Sequence, residues 1–441
     1  MAASFCAVDS LKGTRRNKFE RYVTIGAVLH LAESHRSCMT RRAMQSAWLS
    51  IVSMHSWWRY AILLVALAPL AYYIVATIAA IRFLNRKPKT ATSSATTENF
   101  TPPVSLIKPV HGVDFGSIEN FESFCRQDYP DYEILFAVND ESDPAVPLIR
   151  ATAAKFPERN IHLISGAPQV GANKKVNNLI ELNRAARHEI IVLTDGDVRV
   201  LPNYLREVVA PFADPKIGAV TSFYRGIAQK SLAAELEAIG AASDFFAGVL
   251  VAEWMEGMTF ALGASIATTK SWVAKIGGFE AIADMHSDDY ELGHRIAKAG
   301  GKVVLTHELV WTMYPAQSAR GFWNHQVRWL RTVRLSRPFS FLGLVFTHGL
   351  PWAIAAAFVA PTKSIAGAYL GAYLVLRLVM ALVVGVRVVA DDTVGAKLWL
   401  IPFRDAIHFF VWVASFASNK ISWGGEEFTM REGRMTPVPR S

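Results

Sequence analysis

Residues 60–81, YAILLVALAPLAYYIVATIAAI, make a run of 22 positions without one charged side chain. As a helix the run spans about 33 Å, the thickness of a bilayer's hydrocarbon core. In hydrocarbon a single segment satisfies its own backbone N–H and C=O groups only as a helix, so the run predicts a transmembrane helix. A cleaved signal peptide would have a shorter apolar region ending in small residues, whereas this run ends in Arg82, Arg86, Lys87 and Lys89. Those residues put the chain beyond them on the cytosolic side by the positive-inside rule, although Arg41 and Arg42 pull against it from the other flank.

Further apolar stretches follow Arg337. Residues 339–362 carry no formal charge, and Gly349 and Pro351 predict a bend or a re-entrant shape. Residues 365–386 can span only by carrying Arg377 near the middle, and residues 398–417 carry Arg404, Asp405 and His408. Charges inside spans point to function. The plainer alternative is that Arg377 snorkels and that Arg404 and Asp405 lie at an interface. With 51% hydrophobic and 19% charged residues, a wholly soluble enzyme is disfavoured, and disorder, collagen and coiled coil are excluded. Eight basic residues against three acids in the first fifty supply more than half of the net charge of +9. That segment is either a basic tail or lies ahead of a true start at Met44 or Met54. No nucleic-acid motif accompanies the charge, so the expected partner is an anionic membrane surface and no nucleic acid. Cys6, Cys38 and Cys125 fit neither a disulfide framework nor a zinc knuckle, which implies a reducing compartment.

Between the apolar regions the pattern changes. VSLIKPV (104–110), YEILFAVN (132–139), IHLIS (161–165), EIIVLTDGD (189–197), IGAVTSF (217–223) and KVVLTHELV (302–310) read as strands, with helical patterns at 176–186 and 289–299. The alternation predicts an α/β fold with a mostly parallel sheet and ligands at the carboxyl ends of its strands. The organisation is then a basic segment (1–57), a transmembrane helix (58–84), a polar linker over 90–103, a cytosolic α/β domain (103–338), C-terminal transmembrane helices (339–418) and a tail (419–441). The stretch 232–260, rich in Phe, Leu and Trp, predicts either an interfacial segment that leads a lipid to the site or a buried core helix.

Acidic residues follow two of the strands. Asp140 closes the second, and Asp195-Gly196-Asp197 follows the fourth, where paired carboxylates can hold a divalent cation that shares substrate phosphates, or serve as an ordinary turn. His286-Ser287-Asp288-Asp289 opens a helix, as N-terminal acids suited to its dipole or as a general base. In HQVRWLR (325–331) the arginines recur every third residue, fit for a diphosphate or for lipid phosphates.

Together, Asp140, Asp195, Asp289 and HQVRW resemble the D, D, D, (Q/R)xxRW signature of family 2-like GT-A glycosyltransferases. More closely, KPVHGVD (108–114), DYPDYEILFAVNDESDP (128–144), VGANKKVNNL (170–179), TDGDVRV (194–200) and SDDYELGHRI (287–296) are similar to the ceramide glucosyltransferase family, family 21, which includes bacterial hopanoid-associated relatives. The resemblance covers about 103–338 and the membrane layout. It implies a GT-A, Rossmann-like nucleotide-sugar domain and an inverting hexose transfer from a UDP-sugar to a lipid hydroxyl at the cytosolic face of the bilayer. It further implies that Asp140 contacts the uridine, Asp195 the nucleotide-sugar, and Asp197 with Asp195 an Mg2+ or Mn2+ ion. Asp289 would be the base, and Lys175, Arg328 and Trp329 would hold the donor. His325 stands where the family has Gln or Arg.

The expected reaction is glucosylation of ceramide. The alternative is transfer of N-acetylglucosamine to a hopanoid polyol. A processive polysaccharide synthase would need more spans, and a catalytically silent membrane binding protein would not need all three aspartates.

Overall fold

The computed structural model describes residues 57–86 and 100–439. The basic segment and most of the polar linker lie outside the described residues. The chain divides at Ile62/Leu63, inside the first helix, and the unit from Leu63 onward carries the whole α/β domain.

All six runs read as strands form them: β1 (Val104–Pro109), β2 (Tyr132–Val138), β3 (Asn160–Ser165), β4 (Ile190–Thr194), β6 (Ile217–Ala228) and β8 (Lys302–Tyr314). Two more complete the sheet, β5 (Val198–Arg199) and β7 (Ser265–Thr269), giving eight strands in the order β3-β2-β1-β4-β7-β6-β8-β5. The half from β3 to β4 is parallel, whereas β7 runs antiparallel to both its neighbours. β1, β2 and β4 are buried along their whole length, which is why they read as unbroken apolar runs rather than as alternations. Separate apolar cores cover the two faces of the sheet. One of them takes in Tyr73, Ala76, Ala80 and Phe83 of the helix Leu67–Leu84. The Phe83 ring stacks on His307 at 4.3 Å, and its carbonyl lies 2.9 Å from the His307 Nε2.

Four helices are long and apolar enough to cross a membrane: Trp57–Asn85, Leu232–Glu256, Lys363–Val388 and Leu398–Ser415. A fifth candidate is the pair Pro338–Thr347 and Gly349–Val359, bent by 49° where Gly349 and Pro351 predict it. Leu232–Glu256 is excluded as a crossing by topology. It connects β6 to β7, which pair within one sheet (Val220 opposite Ala267), so the chain leaves and returns on one side. Over half of this helix is buried, with Phe246 and Leu250 in the core; its last turn, with Trp254 and Met255, is exposed. The stretch thus follows the buried-helix alternative over most of its length.

Two further segments return to the α/β domain. The connection after Val388 pairs Asp392 with Arg225 and Lys397 with Glu235. After Ser415, Arg334 donates to the Ser418 carbonyl (3.1 Å) and Arg331 to that of Lys420 (2.7 Å). The segment read as a tail is a three-stranded antiparallel sheet: β9 (Lys420–Trp423), β10 (Glu426–Arg431) and β11 (Arg434–Pro437). The hairpin between β9 and β10 turns at Gly424 and Gly425, both at positive φ. This sheet bridges Arg434 to Met285, and Met435 N donates to the Asp284 carbonyl at 2.8 Å.

Candidate active site

Because β1, β2 and β4 are parallel and in register, Lys108, Asp140 and Asp195 come to one edge of the sheet. Lys108 is fully buried. Its Nζ donates to Thr194 Oγ1 (2.9 Å) and to the Asp195 carbonyl (2.7 Å), and it lies 3.9 Å from the centre of the Phe124 ring. Burial pushes its pKa down to about 7, against the pull of Asp197 and Asp195. Lys108 thus fixes the turn that carries both aspartates. Burial also pushes Asp197 up to about 7, reinforced by the charges of Asp195 and Asp114. Asp140 stands apart and exposed, its Oδ1 accepting from Ser142 N at 2.7 Å. With β1 intervening, it lies two strand spacings, about 10 Å, from the Asp195 turn. Nearby Asp143 is buried and accepts from the backbone N–H groups of Gly112 and Ala145 at 2.9–3.0 Å, tying the ends of β1 and β2 together.

Lys175 lies in the first turn of the helix Lys174–Ala185. That turn is stitched to the segment before Asp288: Ala172 N donates to Asp284 Oδ1 (3.0 Å) and Asn173 Nδ2 to the Met285 carbonyl (2.8 Å). Gly171 permits the approach, since a Cβ there would lie 2.6 Å from that of Ala283. The Lys175 Nζ then sits between Asp195 Oδ1 (2.7 Å) and Asp288 Oδ2 (3.0 Å). Burial opposes its charge, but Asp195, Asp288 and Asp289 outweigh it and hold Lys175 protonated.

Asp288 and Asp289 open the helix Asp288–Lys298, and the turn between them separates their roles. Asp288 faces Lys175. Asp289 lines a cavity of about 510 Å3 whose walls include Val249, Phe260, Phe341 and Leu344. Burial raises Asp289 to about 6, the charge of Asp288 adds to the rise, and Lys175 opposes it. Gly263 leaves room for this carboxylate, since a Cβ there would lie 2.9 Å from Asp289 Oδ2. Gly263→Ala is therefore expected to displace the carboxylate and lower turnover by about an order of magnitude, with donor affinity unchanged in equilibrium titration.

The helix Ala319–Ser336 carries the arginine stripe. His286 is held neutral by burial and by the charges of Arg328 and Lys175, which drive its pKa down to about 4; both cations therefore act on the same pocket. Trp329 faces the cavity, edge-on to Phe245 at 4.9 Å. His325 lies 2.6 Å from the buried Glu237. Its neighbour Gln326 is buried and accepts from Arg404 at 3.0 Å. Arg377 does not snorkel. It is 1% exposed and grips Asp405 with Nε and Nη2 at 2.9–3.2 Å, while Nη1 donates to the Ser243 carbonyl at 3.1 Å.

Residues 61–436 match the family described as Glycosyl transferase family 21. The chain belongs to that family. Among curated proteins it is similar to Ceramide glucosyltransferase 1 of Caenorhabditis elegans, 26% identical over 231 residues that cover 52% of this chain and 49% of the relative. It is likewise similar to Ceramide glucosyltransferase 3 of the same organism, 25% identical, covering 52% of this chain and 50% of the relative. The chain therefore spans about half the length of these curated relatives. Among solved structures it is similar to the mannosyltransferase PcManGT of Pyrobaculum calidifontis in complex with GDP-Man and Mn2+, at 18% identity and a TM-score of 0.49, covering 81% of this chain and 99% of that one. Membership of family 21 bears out the family resemblance, and the observed sheet bears out the α/β class. In this family 21 chain, Lys108, Asp143 and Asp284 support the site without having been singled out in the sequence. Only Lys108 carried a signal there, as a lone cation inside an apolar strand.

Proposed function

We propose that the chain is a membrane glycosyltransferase that moves a hexosyl group from a UDP-sugar to a lipid hydroxyl with inversion, glucose and ceramide being the pair favoured by the names of its relatives. The observation that carries this reading is the position of Asp289. It feels the charges of Lys175 and Asp195 on the polar edge and also lines the largely apolar cavity, so it stands where a charged donor and a lipid would meet.

In this reading the acceptor oxygen attacks the anomeric carbon while Asp289 takes its proton, and the bond to the UDP oxygen breaks with its electrons passing to the diphosphate. Lys175 and Arg328 stabilise that charge, Asp140 contacts the uridine, and Trp329 closes over the sugar. One base suffices for a single inverting displacement. Asp195 and Asp197 would hold Mg2+ or Mn2+. Asp197 fits such an ion, being a half-buried carboxylate whose ionised form is disfavoured by burial and by the negative charges of Asp195 and Asp114, with Lys108 opposing them. Among the described residues no three His, Cys, Asp or Glu side chains converge on one point. Two carboxylates would leave the remaining positions of a hard cation to phosphate and water. When bound, the ion supplies further electrostatic stabilisation of the leaving diphosphate. Activity is expected to vanish in excess chelator and to return with Mg2+ or Mn2+, and Asp197→Ala to raise the metal concentration required; full turnover in chelator would remove the assignment.

The reading as a whole is tested by mass spectrometry of lipids from a host expressing the chain or its Asp289→Asn variant. A new hexosyl-lipid present only with the former is expected, and the lipid and sugar masses distinguish hexosylceramide from an N-acetylhexosaminyl hopanoid.

A further inference from the structure

We propose that Asp244, His408 and Arg404 form a second polar subsite in the cavity, which takes a hydrogen-bonding group of the acceptor lipid other than the hydroxyl that reacts. The proposal rests on the reading of the cavity as the acceptor site.

Asp244 lies on a single π-helical turn, Ala241–Phe245, inserted in an otherwise α-helical segment. Such turns re-aim side chains and recur at functional sites. Its Oδ2 is 2.6 Å from the His408 Nδ1. Arg404 precedes His408 by four residues on the helix Ile401–Ser415, so the two share a face. All three residues line the cavity that holds Asp289.

Arg404 supplies the second, independent observation. It is 2% exposed. Its Nε donates to the Leu236 carbonyl (3.1 Å) and one Nη2 hydrogen to Gln326 Oε1 (3.0 Å). Its Nη1 is buried and finds no acceptor among the described residues. Gly240 lets the guanidinium lie against the helix backbone, for a Cβ there would be 2.8 Å from the Arg404 Cζ. A buried cationic N–H without an acceptor is costly. The neighbouring Arg377 shows the contrast, since its guanidinium is engaged by Asp405 and Ser243. Arg404, a residue of the cavity lining, thus carries an unsatisfied buried donor, and the same lining holds the Asp244 carboxylate as an acceptor among apolar side chains. The complementary ligand group accepts and donates at once, as an amide or a secondary hydroxyl on a lipid does; a plain long-chain alcohol has no such group beyond its reacting oxygen.

The test compares two acceptors of matched chain length, a primary alcohol and an N-acyl amino alcohol, with purified full-length protein and UDP-sugar in lipid nanodiscs. The wild-type kcat/KM is expected to favour the amide-bearing acceptor by about 10- to 100-fold. In Asp244→Asn and His408→Gln the ratio is expected to collapse towards unity through the acceptor KM, with the donor KM unmoved. A wild-type ratio near unity overturns the subsite, and this arm depends on no variant folding. Variants that keep the ratio, or that lose both acceptors in equal proportion, overturn it as well, because the pair would then be remote or merely structural. Folded wild type that binds no UDP-sugar, or that glycosylates neither acceptor, overturns the glycosyltransferase reading itself and the subsite with it.

Discussion

Asp289→Asn is expected to lower turnover by about 10² to 10⁴, the usual worth of a general base, while UDP-sugar binding measured by calorimetry persists. The substitution keeps shape and hydrogen bonding and removes only the proton acceptor. Asp288→Asn should behave differently. Its carboxylate is 3.0 Å from Lys175, so its loss leaves that ammonium to Asp195 alone, weakening donor affinity before the chemical step. A deader Asp288 variant that still binds donor normally would shift the base by one residue. The pH profile separates the two further. Burial raises Asp289 to about 6, and a base works only when ionised, so wild-type turnover should fall as pH drops below about 6 and level off above it. The residual rate of Asp289→Asn should lack that limb.

The largest expected effect on stability lies at Arg377. Replacing it with Met removes one partner of a buried pair and strands Asp405 among apolar helices, which costs about 3 to 5 kcal/mol. Thermal unfolding in detergent should show the loss. The double variant Arg377→Met/Asp405→Leu should recover most of it, because two apolar side chains leave no orphaned charge, although the Tyr373 hydroxyl then loses its 2.9 Å acceptor. If the double variant is as unstable as the single one, the pair is not what holds these helices together.

The parallel half of the sheet was legible because buried parallel strands are written as continuous Val, Ile and Leu runs. β7 was missed because it carries no such run. Its sequence, SIATT, sits between two antiparallel neighbours with small polar residues buried through hydrogen bonds, among them Thr268 Oγ1 to the Gly218 carbonyl at 2.7 Å. Two-residue β5 leaves no periodic trace. The strands after residue 419 were legible in principle: Ile421, Phe428, Met430 and Met435 alternate with polar residues around glycine turns, and they pack together as a small core. In the site, acids at strand ends and at a helix start could be named from position alone. Lys175 between Asp195 and Asp288 could not, because that meeting depends on Gly171 and Asn173 docking on a segment more than a hundred residues downstream. The Arg377–Asp405 pair likewise needed the packing of two helices to distinguish it from a snorkelling side chain.

The ion pairs of Asp392 and Lys397, and the bonds that Arg331 and Arg334 make to the chain after Ser415, bear on the parity of the membrane passages. Both ends of Leu398–Ser415 are fastened to the α/β domain, so that helix is expected to begin and finish on one face of the bilayer and to make no traverse. The bent pair Pro338–Thr347 and Gly349–Val359 is then expected to carry the chain out, and Lys363–Val388 to bring it back, as a helical hairpin. With the helix that ends at Asn85 three traverses are expected. A membrane-impermeant thiol reagent acting on cysteines placed at Pro361 and at Gly425 should accordingly reach them from opposite sides.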